Sequence, residues 1–230
     1  MTLSIVMPVL NEATGIEDAL RALAPYRARG VEVIVADGGS GDDTVARARA
    51  LAERVIKASR GRASQMNAGA AVAKGDVFIF LHADTRLPDN ADALIADGLA
   101  RSKRAWGRFD VRFDDGGWLN VVAFMMNSRS WASGICTGDQ TMFMTRAAFD
   151  EIGGIPPIAL MEDVAASAKL KRLGHPLCLR ERVTTSGRRW RQHGVFRTIL
   201  LMWRLRLAFF FGGDPKSLAR HYGYVPHESA

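Results

Sequence analysis

The chain has 230 residues, 48% of them hydrophobic and 24% charged. That is ordinary globular composition, with room for one full α/β domain rather than two. The formal charge is +7, and residues 180–230 hold ten Arg or Lys against three acids, so the body before them is neutral overall. A basic tail on a neutral body points to an anionic partner such as lipid headgroups or a phosphorylated substrate. No recognition motif supports nucleic acid. Two isolated cysteines, Cys136 and Cys178, exclude a disulfide framework and a zinc site with ordinary ligand spacing. The opening run MTLSIVMPVLNE lacks a basic n-region and a cleavage signal. It therefore predicts a core strand and a cytoplasmic protein, with peripheral contact at the inner face of a membrane left open.

Apolar strand-like runs alternate with helix-like ones through the first half. Leu3–Val9 predicts a buried strand, Thr14–Arg29 a helix, Val31–Ala36 a strand, and Asp42–Ala52 a helix with acids in its first turn. Arg54–Lys57 predicts a short strand, Ala63–Ala73 a helix of small residues, Val77–Leu81 a buried strand and Pro88–Ser102 a helix. This order implies a mostly parallel central sheet with helices on both faces. The pattern then changes. Phe109, Val111 and Phe113 alternate with polar residues, which predicts a half-buried antiparallel strand. Gly116–Trp131 reads as a helix, Thr141–Thr145 as a strand and Glu162–Arg172 as a helix.

In open α/β sheets, ligands bind beyond the carboxyl ends of the strands. Asn11-Glu12 follow the first strand, Asp37-Gly38-Gly39-Ser40 the second and His82-Ala83-Asp84 the fourth. Each alone is also a common turn or helix cap. Asp37 would accept hydrogen bonds from a base or ribose, with the glycines letting the ligand approach. Asp84 would hold Mg²⁺ or Mn²⁺ against a diphosphate, because hard cations take oxygen ligands. Arg60 and Arg62 lie where a loop enters a helix, which suits phosphate or a plain surface ion pair. Glu162-Asp163 open a helix, as acids do, and Asp163 is a candidate general base for a sugar hydroxyl. Arg188 and Arg189, beside Trp190, could close over the diphosphate or form basic surface.

In this order the segments resemble family-two glycosyltransferases of the GT-A fold. SIVMPVLNE resembles their opening strand, VIVADGGSGDDT their nucleotide-binding turn, GRASQMNAGAAVAKGD the lead into the central strand, FLHADT the DXD position, MEDVAASAKLKRLG the acceptor-side ED helix, and SGRRW a shortened QXXRW element. The resemblance implies transfer of a sugar from a nucleoside diphosphate (UDP or GDP) to a hydroxyl acceptor, small molecule or lipid, with inversion. It places Pro8, Asn11, Glu12, Asp37 and Gly38 around the nucleoside. It sets Arg60, Arg62, Gln65 and Ala83 at the donor nucleotide, Asp84 at the metal, and Asp163 as base. Gly138, Asp139, Gln140 and Glu162 would border sugar and acceptor. Two departures stand out: His82 replaces the first acid of DXD, and the QXXRW glutamine is absent. The GDQ and SGRRW segments are most similar to a small bacterial subgroup labelled arsenosugar-biosynthesis glycosyltransferases. A nucleotidyltransferase and a catalytically silent nucleotide-sugar or lipid-binding module remain the alternatives.

The resemblance divides the chain into a catalytic domain, 1–190, with a nucleotide-binding half, 1–105, and an acceptor-binding half, 106–190, followed by a C-terminal helical appendage, 191–230. Within the last, 195–211 reads VFRTILLMWRLRLAFFF, a basic and aromatic helix interrupted by Arg197, Arg204 and Arg206. Arginines are costly at a bilayer centre, so it does not read as a span. Arg197 and Arg204 share a helical face and Arg206 points elsewhere. Packing on the core, an interfacial membrane position and a dimer contact all fit this pattern.

Overall fold

The structure, a computed structural model, describes residues 1–224. Its centre is an eight-stranded sheet: β1 (Leu3–Val9), β2 (Glu32–Asp37), β3 (Arg54–Lys57), β4 (Val77–Phe80), β5 (Thr85–Arg86), β6 (Trp106–Phe113), β7 (Met142–Thr145) and β8 (Leu177–Thr185). They lie in the order β3-β2-β1-β4-β7-β6-β8-β5. β1 is parallel to both β2 and β4, and β3 is parallel to β2. β7 runs antiparallel to β4 and β6, β8 is parallel to β6, and β5 is antiparallel to β8. The sheet is thus mostly parallel, with β7 and β5 reversed. β1 connects to β2 on one side and neighbours β4 on the other, which makes the β1/β4 boundary the topological switch point.

Helices cover both faces. One core holds Ile5, Met7, Val33, Val35 and Phe109 against α1 (Ile16–Arg21), α2 (Ala24–Ala28), α5 (Ala91–Ser102) and α6 (Trp118–Ser133). The other holds Val6, Ile34, Phe78 and Trp106 against α4 (Arg62–Val72), α7 (Arg146–Glu151) and α8 (Glu162–Leu170). β1 alternates between them, Ile5 and Met7 to one side and Val6 to the other, so the fully apolar run follows from burial on both faces. Between β2 and β3 lies a short helix, α3 (Thr44–Ala48).

Several expectations need correction. The helix expected over 14–29 is two helices, because Pro25 lacks an N–H and starts α2 instead of continuing α1. The helix expected over 42–52 is only α3, with Asp42 used before it rather than inside it. β6 is half-buried only at its distal end, since Arg108 is fully enclosed and paired with Asp110. It is also parallel to β8 as well as antiparallel to β7. Nothing in the apolar pattern marked β8, whose middle, Arg180-Glu181-Arg182, bulges where the β6 register shifts at Phe109/Asp110.

The C-terminal segment forms α9 (Arg188–His193), α10 (Val195–Phe210) and α11 (Pro215–His221). Leu205 and Leu218 pack with Leu160 and Met161 in a third cluster, and Val195 and Ile199 pack against the main core. The expected appendage is thus fastened to the domain over the residues described; its last six lie outside them. No helix among the described residues is long and apolar enough to cross a membrane.

Candidate active site

The first wall of the cleft is made by the turns after β1 and β2. Asp37 is buried, and its carboxylate accepts from Gly39 N at 2.9 Å and Ser40 N at 3.1 Å. Asn11 Oδ1 accepts from Gly41 N at 2.9 Å, and Asn11 N donates to Ser40 Oγ at 2.9 Å. Glu12 N donates to Thr44 Oγ1 at 2.8 Å, and Asp42 caps the same threonine. Those bonds hold Asp42 below its usual range, chiefly through the Thr44 hydroxyl. The two turns therefore brace each other. Asp37 keeps accepting capacity for a ligand, since a carboxylate offers about four lone-pair positions.

Gln65 is corrected here. It is buried, and its amide nitrogen donates to Val9 O at 2.7 Å and Ala36 O at 2.8 Å. It ties α4 to the ends of β1 and β2 instead of reaching a base or phosphate. Gly38 serves this tie: a Cβ there would stand 2.9 Å from Gln65 Cδ, so the glycine admits a side chain rather than the ligand. Pro8 sits opposite Ala36 in the β1/β2 ladder, and Ala83 packs against the main core.

Glu12 and Asp84 end neighbouring strands at the switch point. Burial raises the Glu12 carboxyl, Arg188 opposes the rise, and Asp84 adds to it, so all three groups share one region. Asp84 is exposed, and among the described residues its carboxylate accepts a single 3.4 Å bond, from Thr85 Oγ1. Among the described residues no three His, Cys, Asp or Glu side chains gather to hold a metal by themselves. That donor set, one free carboxylate in an acidic cleft, fits Mg²⁺ or Mn²⁺, which complete their shells with water and phosphate oxygens. Arg60 is exposed at the cleft margin. Arg188 faces Glu12, whereas Arg189 is turned away. Its guanidinium lies 3.6 Å over the Tyr222 ring and donates to Tyr222 O at 2.6 Å. Arg189 thus fastens α11 rather than closing on phosphate. Trp190 anchors this segment edge-on to Phe113 at 5.7 Å.

The second wall joins the 3₁₀ turn Gly138–Gln140 to the start of α8. Asp163 Oδ2 accepts from Gly138 N at 2.8 Å, and Oδ1 accepts from Val164 N at 2.7 Å. A Cβ at 138 would overlap the His82 ring, so only glycine lets the turn lie on the imidazole. His82 Nδ1 is 4.0 Å from Asp139 Oδ1. Burial, reinforced by Arg62, lowers the His82 pKa and keeps the ring neutral at pH 7. Enclosure raises the Asp139 carboxyl, against the pull of His82 and with help from Asp84. Gln140 is corrected: it is buried, closes the turn's capping box with Thr137 and donates to Asn127 Oδ1 at 3.3 Å. Glu162 is also buried, 3.8 Å from Arg62 Nη1. Burial and the Asp163 charge push its carboxyl up to about 7. Arg62 is driven above its ordinary value, its burial outweighed by Glu162, Tyr222 and the neighbouring acids.

Sequence reasoning missed three members of this wall, Arg129, Arg206 and Tyr222. Arg206 comes from α10 and Tyr222 directly follows α11; Asp163 and Asp139 act on both, and burial raises the Tyr222 hydroxyl, which stays neutral. The only signal was that Arg206 leaves the helical face of Arg197 and Arg204.

Residues 4–153 match glycosyl transferase family 2. The chain belongs to that family. A curated relative, glucosyl-3-phosphoglycerate synthase of Mycobacterium tuberculosis, is 33% identical over 93 residues, 36% of this chain and 29% of that enzyme. The chain thus spans about a third of the length of the curated relatives it matches. Among solved structures, a mannosyltransferase from Pyrobaculum calidifontis in complex with GDP-Man and Mn²⁺ superposes with a TM-score of 0.65 at 22% identity, over 96% of this chain and 63% of that one. TarS 1–349 of S. aureus in complex with UDP gives 0.66 at 18%, over 81% and 60%. These likenesses show the GT-A fold.

Proposed function

We propose that this protein transfers a sugar from a nucleoside diphosphate, UDP or GDP, to a hydroxyl acceptor with inversion and with help from a divalent cation. The observation that carries the reading is that Asp163 and Asp84 act on the same two groups, His82 and Asp139, with the Asp163 carboxylate fixed by the Gly138 and Val164 N–H groups. A carboxylate so held can still accept a hydroxyl proton through a remaining lone pair. The turns around Asn11 and Asp37 would seat the nucleoside, and Arg188 and Arg62 would face the diphosphate. Asp84 would hold the Mg²⁺ or Mn²⁺, which when bound offsets the charge of the departing diphosphate. Neutral His82 supports the turn that carries Asp139 instead of adding an acid to the metal site. The mannosyltransferase neighbour holds GDP-Man and Mn²⁺ and TarS holds UDP, which agrees with this use of the cleft. The kinship with arsenosugar-biosynthesis-type enzymes rests on the Gly138–Gln140 and 186–190 segments.

Calorimetric titration of UDP and GDP, with and without Mn²⁺, on the wild type and Asp84→Ala tests the reading. One nucleotide should bind more tightly with metal, and Asp84→Ala should remove that gain. Binding of neither nucleotide sinks the proposal in favour of a silent binding module.

A second reading concerns where the enzyme works. Trp118 and Phe124 of α6 are each 70% exposed, and Phe196, Leu200, Trp203 and Leu207 of α10 form a stripe beside them, with the Trp118 and Phe196 rings 6.3 Å apart. Apolar surface of this extent marks an interaction site. Arg197 and Arg204 edge it, as on helices that lie in an anionic membrane interface. Flotation with anionic liposomes should carry the protein and weaken in salt; protein left at the bottom of a low-salt gradient would rule the reading out.

A further inference from the structure

Arg129 of α6 and Arg206 of α10, both half-buried, are unlike Arg108, the buried arginine of β6, which pairs with Asp110. Arg129 and Arg206 have no carboxylate within ion-pair distance among the described residues, and each carries a buried nitrogen, Nη2 of Arg129 and Nε of Arg206, with no hydrogen-bond partner. Burying a guanidinium without a partner is strongly unfavourable, and such groups in a folded protein call for an explanation.

The two helices bring them together. α6 and α10 touch near their starts through Trp118 and Phe196. Arg129 lies eleven positions beyond the first ring and Arg206 ten beyond the second. Arg206 is the charge that acts most strongly on Arg129, so the two guanidiniums share one neighbourhood. Burial, then the like charge of Arg206, pulls Arg129 down to about 10, so it remains cationic at neutral pH. Burial also lowers Arg206, against the pull of Asp163, Asp139 and Tyr222. The facing Cys136 thiol is pushed up to about 12 by burial and stays neutral. Asp163 therefore acts on both cations, and Asp139 on Arg206 as well. The charges that act on Glu12 are Arg188, Asp84 and Asp42, with neither Arg129 nor Arg206 among them.

We propose that Arg129 and Arg206 form an anion subsite on the acceptor side of the cleft, which takes a phosphate or carboxylate group of the molecule whose hydroxyl Asp163 deprotonates. The inference rests on the glycosyltransferase reading and narrows its acceptor to an anionic one. Planar guanidiniums suit both oxyanions, and an oxyanion beside them would offset the two like charges that the fold leaves without an ion-pair partner.

The test uses inorganic phosphate and acetate as probes on the full chain saturated with UDP or GDP, so that the diphosphate site is filled. Calorimetry and thermal melting are read on the wild type, Arg129→Met, Arg206→Met and Arg206→Lys. The wild type should bind one of the probes and melt higher in its presence, and which probe binds tells phosphate from carboxylate. Each Met variant should weaken that binding about ten- to hundredfold, the usual effect of losing a hydrogen bond to a charged group. Arg206→Lys should retain part of it. Without a probe, the Met variants should melt no lower than wild type, because an unpaired buried charge has been removed. Equal probe binding in all variants, no probe binding by wild type, or Met variants that melt markedly lower would each overturn the subsite. Nucleotide binding in the same titrations keeps the two readings separate: its absence in wild type defeats the glycosyltransferase reading, whereas its presence without a probe effect defeats the subsite alone.

Discussion

On the donor wall, Asn11, Asp37, Ser40, Asp42 and Thr44 satisfy one another within two adjoining turns, mostly through backbone N–H groups. On the acceptor wall, Arg62, His82, Asp139, Glu162 and Asp163 meet across helices and loops far apart in sequence, joined by Arg129, Arg206 and Tyr222, and most of them have displaced pKa values. The first wall is finished without a ligand and holds its shape by itself. The second gathers charge in a poorly hydrated space, where each group's state depends on the others. In the proposed reaction a nucleotide would meet a rigid seat, while the acceptor would meet a set of groups whose protonation and pairing it can alter.

Three changes would break or sharpen this contrast. The largest effect belongs to Asp163→Asn, which keeps an oxygen for the Gly138 N–H but removes the base. Transfer should fall about 10²- to 10⁴-fold while nucleotide binding holds, read by product assay beside calorimetry. Normal turnover would show that the base lies elsewhere. Gln65→Leu attacks the donor wall instead. It takes the side-chain donor from the Ala36 carbonyl and from the Val9 carbonyl, which keeps Gly38 N, and should cost about 1–3 kcal/mol in denaturant unfolding. Because Gln65 braces rather than binds, the KM for the acceptor should stay put.

The smallest effect is expected from Glu162→Gln. The folded Glu162 carboxyl titrates at about 7, above the 4.5 of an unperturbed glutamate. Between those values the folded state holds a proton that the unfolded chain has lost. This contribution to stability is complete below pH 4.5 and is lost as pH rises through 7. Melting temperature against pH should therefore decline less steeply over that window in Glu162→Gln than in wild type. Parallel curves would mean that Glu162 is not the titrating group.

The same contrast decides what could be read from the sequence. β1 and β3 stand where their apolar runs placed them, and the Asp37-Gly38-Gly39-Ser40 turn announces itself because its partners are two or three residues apart. β8 was hidden because Arg180-Glu181-Arg182 interrupts the alternation where the strand bulges, and burial on β8 is decided by β6, seventy residues earlier. Gln65 and Gln140 looked like ligand contacts because a polar side chain beside a cleft and one tied beneath it are the same letter. Arg129 and Arg206 lie in apolar helices, and only the register of α6 against α10 turns them to one place.

The short strand β5 has a consequence for how the molecule comes into being. Thr85 pairs with Thr185 in the ladder, and their hydroxyls lie 3.1 Å apart across a separation of 100 residues. Asp84 immediately precedes this pair and Arg188 follows it by three positions. The loop carrying Asp84 therefore has no strand to lie against until residues 177–185 have been synthesised and docked beside β6. Contacts of such long sequence separation form slowly, because the intervening loop must first close. The parallel β1–β4 unit can gather earlier, before the loop carrying Asp84 has the strand that holds it.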